Sequence, residues 1–220
     1  MLTITNEDNM ALMARYPDKF FNIAIIDPPY GGAGQEVDRT GGTWSAKYGN
    51  KIKKWDIAPD KDFFNELFRV SDFQIICGGN YFDLPPSRNF IIWEKHIPEN
   101  FTMAMCEFFW TNIKGNAKIV KMPSMGKGRI HPTEKPVELY AWLLSRYCKP
   151  GWKVLDTHFG SGSIAIACHN AGFDLTACEI DTEYFDKAME RINKHIAQND
   201  LFNKNEMFSS RLLFSDGGGD

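Results

Sequence analysis

Apolar residues run almost unbroken from Phe20 to Ile26, and the run ends at Asp27-Pro28-Pro29-Tyr30. A run of this length without alternation reads as a strand buried on both faces of a sheet. Shorter apolar runs predict further strands at 72–77, 89–93, 105–111, 152–156 and 173–178. Phe63, Phe64, Leu67, Phe68 and Val70 recur at helical spacing and predict a helix over 60–70. Other helices are predicted at 8–16, stopped by Pro17, then from Pro136 to about Cys148, at 161–170 and at 183–198. Residues 31–58 and 112–130 show no clear period and read as irregular segments; loops this long in a compact domain usually serve a function.

Strands alternating with helices imply an α/β fold, a mostly parallel sheet with helices on both faces. The expected organisation is one domain over 1–220, with a catalytic half at about 17–111 and a cofactor half at about 131–198. Recognition loops are expected at about 31–56 and 112–130, and a flexible tail at about 209–220.

The 220 residues suffice for one domain with a sizeable core. Apolar content of 43% and charged content of 24% are ordinary, and a net charge of -3 gives no global pull toward nucleic acid. The five cysteines, Cys77, Cys106, Cys148, Cys168 and Cys178, form no CxxC pair and are expected to be buried reduced thiols. No histidine spacing suggests a metal. The polar start is unlike a signal peptide, and no apolar stretch approaches membrane-spanning length, so a cytoplasmic protein without membrane partners is expected.

Val154-Leu155-Asp156 ends a predicted strand, and Phe159-Gly160-Ser161-Gly162-Ser163 follows. Glycines in such a turn let the backbone pass close to a ligand, and the next helix offers free N–H groups there. Glu179, in Cys178-Glu179-Ile180-Asp181, closes the next strand, where a carboxylate can accept both hydroxyls of a ribose. The pattern suits a nucleoside-containing cofactor, although a tight strand-to-helix turn without ligand would read similarly. It does not choose between a dinucleotide and S-adenosylmethionine. The late position of this half and the presence of Asp27-Pro28-Pro29-Tyr30 favour S-adenosylmethionine.

An exocyclic amine on a base is a poor nucleophile because its lone pair is delocalised into the ring. Acceptors on its two hydrogens favour a pyramidal nitrogen. Asp27 can supply a carboxylate oxygen and Pro28 its carbonyl, since the X-Pro geometry holds the chain extended. Tyr30 can stack on the base, at about 1–3 kcal/mol. Alignment against an activated methyl group can contribute ~7–11 kcal/mol. A strand-ending Pro-Pro turn capped by Asp is the plainer alternative.

With these motifs in place, the chain resembles the DNA amino-methyltransferases in the permuted order called the beta class. Asp27-Pro28-Pro29-Tyr30 resembles the catalytic motif, with Asp leaning toward adenine N6. Phe159-Gly160-Ser161-Gly162-Ser163 resembles the S-adenosylmethionine motif, and His131-Pro132-Thr133-Glu134-Lys135-Pro136 the cofactor motif that precedes it. The resemblance extends over about residues 20–195. It implies a Rossmann-like seven-stranded methyltransferase sheet with its last strand antiparallel. It also implies a site-specific adenine methyltransferase of phage or restriction-modification type. By this resemblance Asp27 and Pro28 hold the amine and Tyr30 the flipped base, with Pro29 completing the catalytic motif. Phe159, Gly160 and Gly162 line the cofactor, Glu179 takes the ribose, and His131, Thr133 and Lys135 lie near the methionine end. Asp156, Ser163 and Asp181 complete the candidate cofactor set. The family often has Asp-Pro-Phe where this chain has Asp156-Thr157-His158-Phe159, and His158 is expected to fill the loop. The recognition insert of the family is here reduced to about residues 112–130.

Arg39, Lys47, Lys51, Lys53 and Lys54 fall in an acid-free stretch, as do Lys114, Lys118, Lys121, Lys127 and Arg129. Glycine-containing basic loops can follow phosphates, so both are candidate DNA contacts, with Trp44, Tyr48 and Trp55 as candidate stacking residues. Adenine N6 inside a duplex is out of reach, so the base must be flipped or the substrate single-stranded. A second subunit would supplement the short recognition region. Cytosine-N4 methylation, methylation of a protein glutamine, a non-catalytic DNA- or cofactor-binding regulator and a dehydrogenase are the competing readings.

Overall fold

The computed structural model describes residues 1–31, 57–101, 103–124, 131 and 133–215, with side chains through residue 198. The strands are β1 (Leu2–Asn6), β2 (Phe21–Ile26), β3 (Ser71–Cys77), β4 (Phe90–Glu94), β5 (Cys106–Thr111), β6 (Lys118–Lys121), β7 (Lys153–Asp156) and β8 (Asp174–Glu179). The helices are α1 (Asn9–Met13), α2 (Lys61–Val70), α3 (Val137–Tyr147), α4 (Ser163–Ala171) and α5 (Thr182–Ser215), with a short 3-10 turn at Gly79–Tyr81.

Among the described residues the strands form one sheet in the order β1-β8-β7-β2-β3-β5-β4-β6. The neighbours from β1 to β3 are parallel, β5 runs antiparallel to both β3 and β4, and β6 runs parallel to β4. The predicted Rossmann-like methyltransferase architecture is thus present, with eight strands in place of seven. The added strand is β6, inside the segment expected to be irregular. Neither β6 nor β1 was predicted, and both lie at sheet edges. β6 has four residues with lysine at each end, a composition that keeps an open edge from pairing with another chain. The final helix also exceeds its predicted end, reaching Ser215 where a flexible tail was expected from 209.

Local chemistry explains the helix starts. Asp60 Oδ1 accepts the Phe63 N–H at 2.9 Å and caps α2, and Asp8 does the same for α1 through the Met10 and Ala11 N–H groups. Two apolar layers flank the sheet. Ile23 and Ile25 of β2 face one layer with Leu139, Leu143, Ile164 and Ile192 from α3, α4 and α5. Ala24 and Ile26 face the other, with Leu12 and Met13 of α1 and Phe63, Phe64, Leu67 and Val70 of α2. The alternation is the period-2 side-chain rule of a strand covered on both sides.

This topology positions the site. β2 and β7 are neighbours, with Ile23 beside Val154 and Ala24 beside Leu155. β7 leads through α4 to β8 on one side, while β2 is followed by β3 on the other. The pair therefore forms a topological switch point, and ligands of open α/β sheets bind outside the carboxyl ends of the strands at such a point.

Candidate active site

Asp27-Pro28-Pro29-Tyr30 leaves the carboxyl end of β2, and the glycine turn leaves the carboxyl end of the adjacent β7. They meet in one cavity of about 200 Å³. Asp27, Pro28, Pro29 and Tyr30 line it from one side, Phe159, Gly160, Ser163, Glu179 and Asp181 from the other, and His131, Thr133 and Lys135 close it. These catalytic and cofactor candidates share one space although they come from three distant stretches of chain. The two remaining candidates do not line it. Asp156 is buried beneath the turn, where its Oδ1 accepts the His158 N–H at 3.0 Å. Gly162 starts α4 with a φ of 73°, and an added Cβ would come within 3.0 Å of Ile192 and 3.1 Å of Phe159. Both shape the turn from behind.

The cofactor side is ordered by Glu179. Its Oε2 accepts the Gly160 N–H at 2.8 Å and its Oε1 the Asp181 N–H at 3.0 Å, tying the glycine turn to the end of β8. Asp181 caps α5 by accepting the Glu183 and Tyr184 N–H groups at 2.9 and 3.1 Å. Arg191 donates to the Ser161 carbonyl and the Ser163 hydroxyl, at 2.9 and 3.0 Å, and pairs with Glu134 at 3.0 Å. Gly160 has a φ of 53°, and the nearest atoms to an added Cβ belong to the His131 ring at 3.9 Å, so the backbone there faces open cavity. An apolar ring (Phe159), a carboxylate at a strand end and a bare backbone turn form a set that fits a nucleoside.

His131 stacks edge-on against Tyr184 with ring centroids 4.4 Å apart, and burial chiefly pulls its pKa down to about 4. His158 is also neutral, its pKa lowered to about 3 by burial. The Asn9 amide lies 3.2 Å from its Nε2, and its ring meets Phe63 edge-on at 5.2 Å. It fills the loop as expected, and it also reaches the cavity wall.

The catalytic side holds an arrangement the motifs did not predict. Lys135 is almost wholly buried, and its Nζ lies 2.5 Å from Asp27 Oδ2 and 3.2 Å from Glu107 Oε2. The second Glu107 oxygen pairs with Lys95 Nζ at 2.7 Å. The Tyr30 hydroxyl donates to Asp27 Oδ1 at 2.9 Å. Burial raises the pKa of Asp27 more than Lys135 lowers it. Burial also raises that of Glu107, but Lys135 and Lys95 together hold it below the ordinary range. Lys135 is pulled down by its own burial and held well above its ordinary value by Asp27 and Glu107. Its ammonium is bound between two carboxylates, on the wall that carries Asp27. Sequence reasoning missed Glu107. Its only signal was an acidic residue in a strand otherwise rich in aromatic residues, Cys106-Glu107-Phe108-Phe109-Trp110.

Tyr30 lies against two neighbours. Tyr81 stacks on it at 4.9 Å with the planes 16° apart. Gly78, at a φ of 67°, approaches so closely that an added Cβ would fall 2.2 Å from Tyr30 Cε1.

Of the candidate DNA contacts, Arg39, Lys47, Lys51, Lys53, Lys54, Lys127 and Arg129 lie outside the described residues, as do Trp44, Tyr48 and Trp55. Lys121 stands at the cavity end of β6 and pairs with Glu94 at 3.1 Å. Lys118 stands at the opposite end of that strand, and Lys114 lines a separate hollow with Lys19 and Arg88. The structure therefore does not gather these three lysines at the cavity. The cysteines are free, and Cys77, Cys168 and Cys178 are buried as expected, whereas Cys106 is exposed at the start of β5. Among the described residues no helix is long and apolar enough to cross a membrane.

Residues 100–190 match the family model described as DNA methylase, a stretch from the approach to β5 into α5 that excludes Asp27. The resemblance to DNA amino-methyltransferases drawn from the motifs agrees with this match. Solved structures share the fold. The M1.HpyAVI–SAM complex aligns with a TM-score of 0.58 at 21% identity, covering 88% of this chain and 100% of that one. TTHA0409, a putative DNA modification methylase from Thermus thermophilus complexed with S-adenosyl-L-methionine, aligns with a TM-score of 0.57 at 17% identity, covering 89% and 94%. PvuII DNA methyltransferase, cytosine-N4-specific, aligns with a TM-score of 0.58 at 12% identity, covering 88% and 90%.

Proposed function

We propose that the chain is an S-adenosylmethionine-dependent DNA methyltransferase that methylates the exocyclic N6 of a flipped adenine. The observation that carries this reading is the single cavity at the β2/β7 switch point. One wall is Asp27-Pro28-Pro29-Tyr30 and the other is the nucleoside-type cradle of Phe159, Gly160 and Glu179.

Each residue then has a defined task. Glu179 accepts hydroxyl hydrogens of the cofactor ribose while holding the Gly160 backbone, and Phe159 provides an apolar surface. Bound S-adenosylmethionine supplies an activated methyl sulfonium, so the protein contributes mainly alignment and lone-pair localisation. Asp27 and the Pro28 carbonyl accept the two amine hydrogens, and Tyr30 stacks on the base. The raised pKa of Asp27 suits a group that must later take up an amine proton. In this reading a second subunit supplements the short recognition region between β5 and His131.

Asp at position 27 favours adenine N6 over cytosine N4 as the target. The test is transfer of labelled methyl from S-adenosylmethionine to unmethylated DNA, followed by digestion to nucleosides and mass identification. N6-methyladenine is the expected product. N4-methylcytosine would reassign the base, and label on protein instead of DNA would overturn the reading.

A further inference from the structure

We infer that Glu107 is a positioning residue that gives Lys135 a second carboxylate to rest on, so that the lysine can release Asp27 to the incoming amine. The inference rests on the proposed function and extends it to residues outside the sequence motifs.

Both oxygens of Asp27 are engaged before any base arrives. Oδ1 accepts from the Tyr30 hydroxyl at 2.9 Å and Oδ2 is paired with Lys135 at 2.5 Å. An amine that is to donate to Asp27 competes with a buried ammonium. Pulling that ammonium away into apolar surroundings would be strongly unfavourable, because an unpaired charge is left on each side. Glu107 changes this. Its Oε2 already lies 3.2 Å from the same Nζ, so a small shift of the lysine exchanges one carboxylate for the other without leaving the ammonium unpaired. Lys95 holds the far oxygen of Glu107 at 2.7 Å and keeps it ionised and fixed. Lys95, Glu107, Lys135 and Asp27 thus alternate in sign and sum to zero. The shift leaves the total unchanged and makes Asp27 a stronger acceptor at the moment the amine needs one. Tyr30 bridges the two seats, with its hydroxyl 3.4 Å from Lys135 Nζ and 3.5 Å from Glu107 Oε2. Among the described residues the other titratable groups facing Asp27 are Cys77 from β3, Tyr140 from α3 and Asp156 from β7, and none of them is a cation.

The test compares the wild type with Glu107→Gln, Glu107→Asp and the double variant Lys95→Met/Glu107→Gln, in methyl transfer to DNA. Glu107→Gln is expected to lose at least about tenfold in kcat, within the range of one coupled buried pair, with KM for S-adenosylmethionine within about twofold. The acid limb of its pH–rate profile should move to lower pH, since a negative charge that raises the Asp27 pKa is gone while Lys135 remains. Glu107→Asp should restore most of kcat. The double variant, which rebalances charge without a second carboxylate, should stay low. A Glu107→Gln enzyme within about twofold of wild type, or full recovery in the double variant, overturns the inference. A wild type that methylates neither duplex nor single strands would sink the functional reading separately. The 15N signal of the Lys135 ammonium would then decide: a change between wild type and Glu107→Gln supports the pairing, and an unchanged signal ends it.

Discussion

Lys135 Nζ lies 2.5 Å from Oδ2 of Asp27, joining the His131–Pro136 segment to the candidate catalytic tetrapeptide at the end of β2. Lys135 is buried and Asp27 is largely so, and burying two charges costs desolvation that only good geometry offsets. Deleting one partner is the damaging change, because the other is left uncompensated. Lys135→Met strands Asp27 and leaves Glu107 with Lys95 as its cation. It is expected to cost about 3 kcal/mol of stability, read as a lower denaturant midpoint at unchanged slope, and to move the acid limb of activity to higher pH as Asp27 loses its cation.

Asp27→Ala has a different signature. Lys135 keeps Glu107 as a partner, so the fold should survive the loss of one carboxylate. Methyl transfer should fall at least about 10²-fold, the scale seen when a preorganised acceptor or donor is removed. Calorimetric affinity for S-adenosylmethionine should change little, because Glu179 and Phe159 are untouched. Retained transfer in Asp27→Ala would assign the amine to another acceptor.

The order of elements and both walls of the cavity were legible in the sequence because they are written locally. The run Phe20 to Ile26, the glycines at 160 and 162, and Glu179 at a strand end each declare a conformation within a few residues. The edge strands were not legible. Leu2 and Ile4 alternate with Thr3 and Thr5 in β1, but five residues at a sheet edge carry too little pattern to stand out. The charge ladder was illegible for another reason. Glu107 and Lys95 acquire meaning only when β4 and β5 pair, which sets Trp93 opposite Glu107 and brings the loop after Glu94 alongside. The short spacing in His131-Pro132-Thr133-Glu134-Lys135 likewise gave no hint that the lysine turns toward β2.

Gly78 tests the seat of Tyr30. An added Cβ at this position meets Cε1 at 2.2 Å, and its φ of 67° disfavours any L side chain. Gly78→Ala must therefore displace the ring or the turn, at about 1–2 kcal/mol of backbone strain. The expected outcome is a raised KM for DNA and a lower kcat, with unchanged affinity for S-adenosylmethionine. Kinetics equal to wild type would show that the Tyr30 ring is not used in its present position.

Asp156 gives a pH signature independent of activity. Burial, the largest influence, pushes its pKa from 3.8 to about 8, so between those values the folded chain holds a proton that the unfolded chain releases. Stability from this group therefore falls as pH rises through that window and is gone above it. His158 has the opposite sign: its folded value of about 3 lies below the ordinary 6.5, so it adds stability as pH rises to 6.5 and nothing further beyond. Between pH 6.5 and about 8 the decline from Asp156 is left uncompensated by His158. Thermal melts should show a midpoint that falls over this interval in the wild type and falls less in Asp156→Asn, which retains an oxygen for the His158 N–H.

Glu179→Gln separates holding the turn from holding a ribose. The carboxylate accepts the Gly160 and Asp181 N–H groups at 2.8 and 3.0 Å, and a glutamine has one oxygen where two are needed. Its NH₂ group would face an N–H donor, so one of these contacts is lost along with acceptor capacity for the cofactor hydroxyls that Glu179 is proposed to bind. Hydrogen bonds to a charged group contribute about 1.5–3 kcal/mol each, which predicts a loss of roughly tenfold or more in affinity for S-adenosylmethionine. If the loss came only from a loosened turn, S-adenosylhomocysteine and free methionine would weaken in equal proportion. If the ribose contact dominates, S-adenosylhomocysteine should weaken and methionine should not, because methionine lacks the sugar. Calorimetry of the two ligands against both proteins decides which role the carboxylate plays.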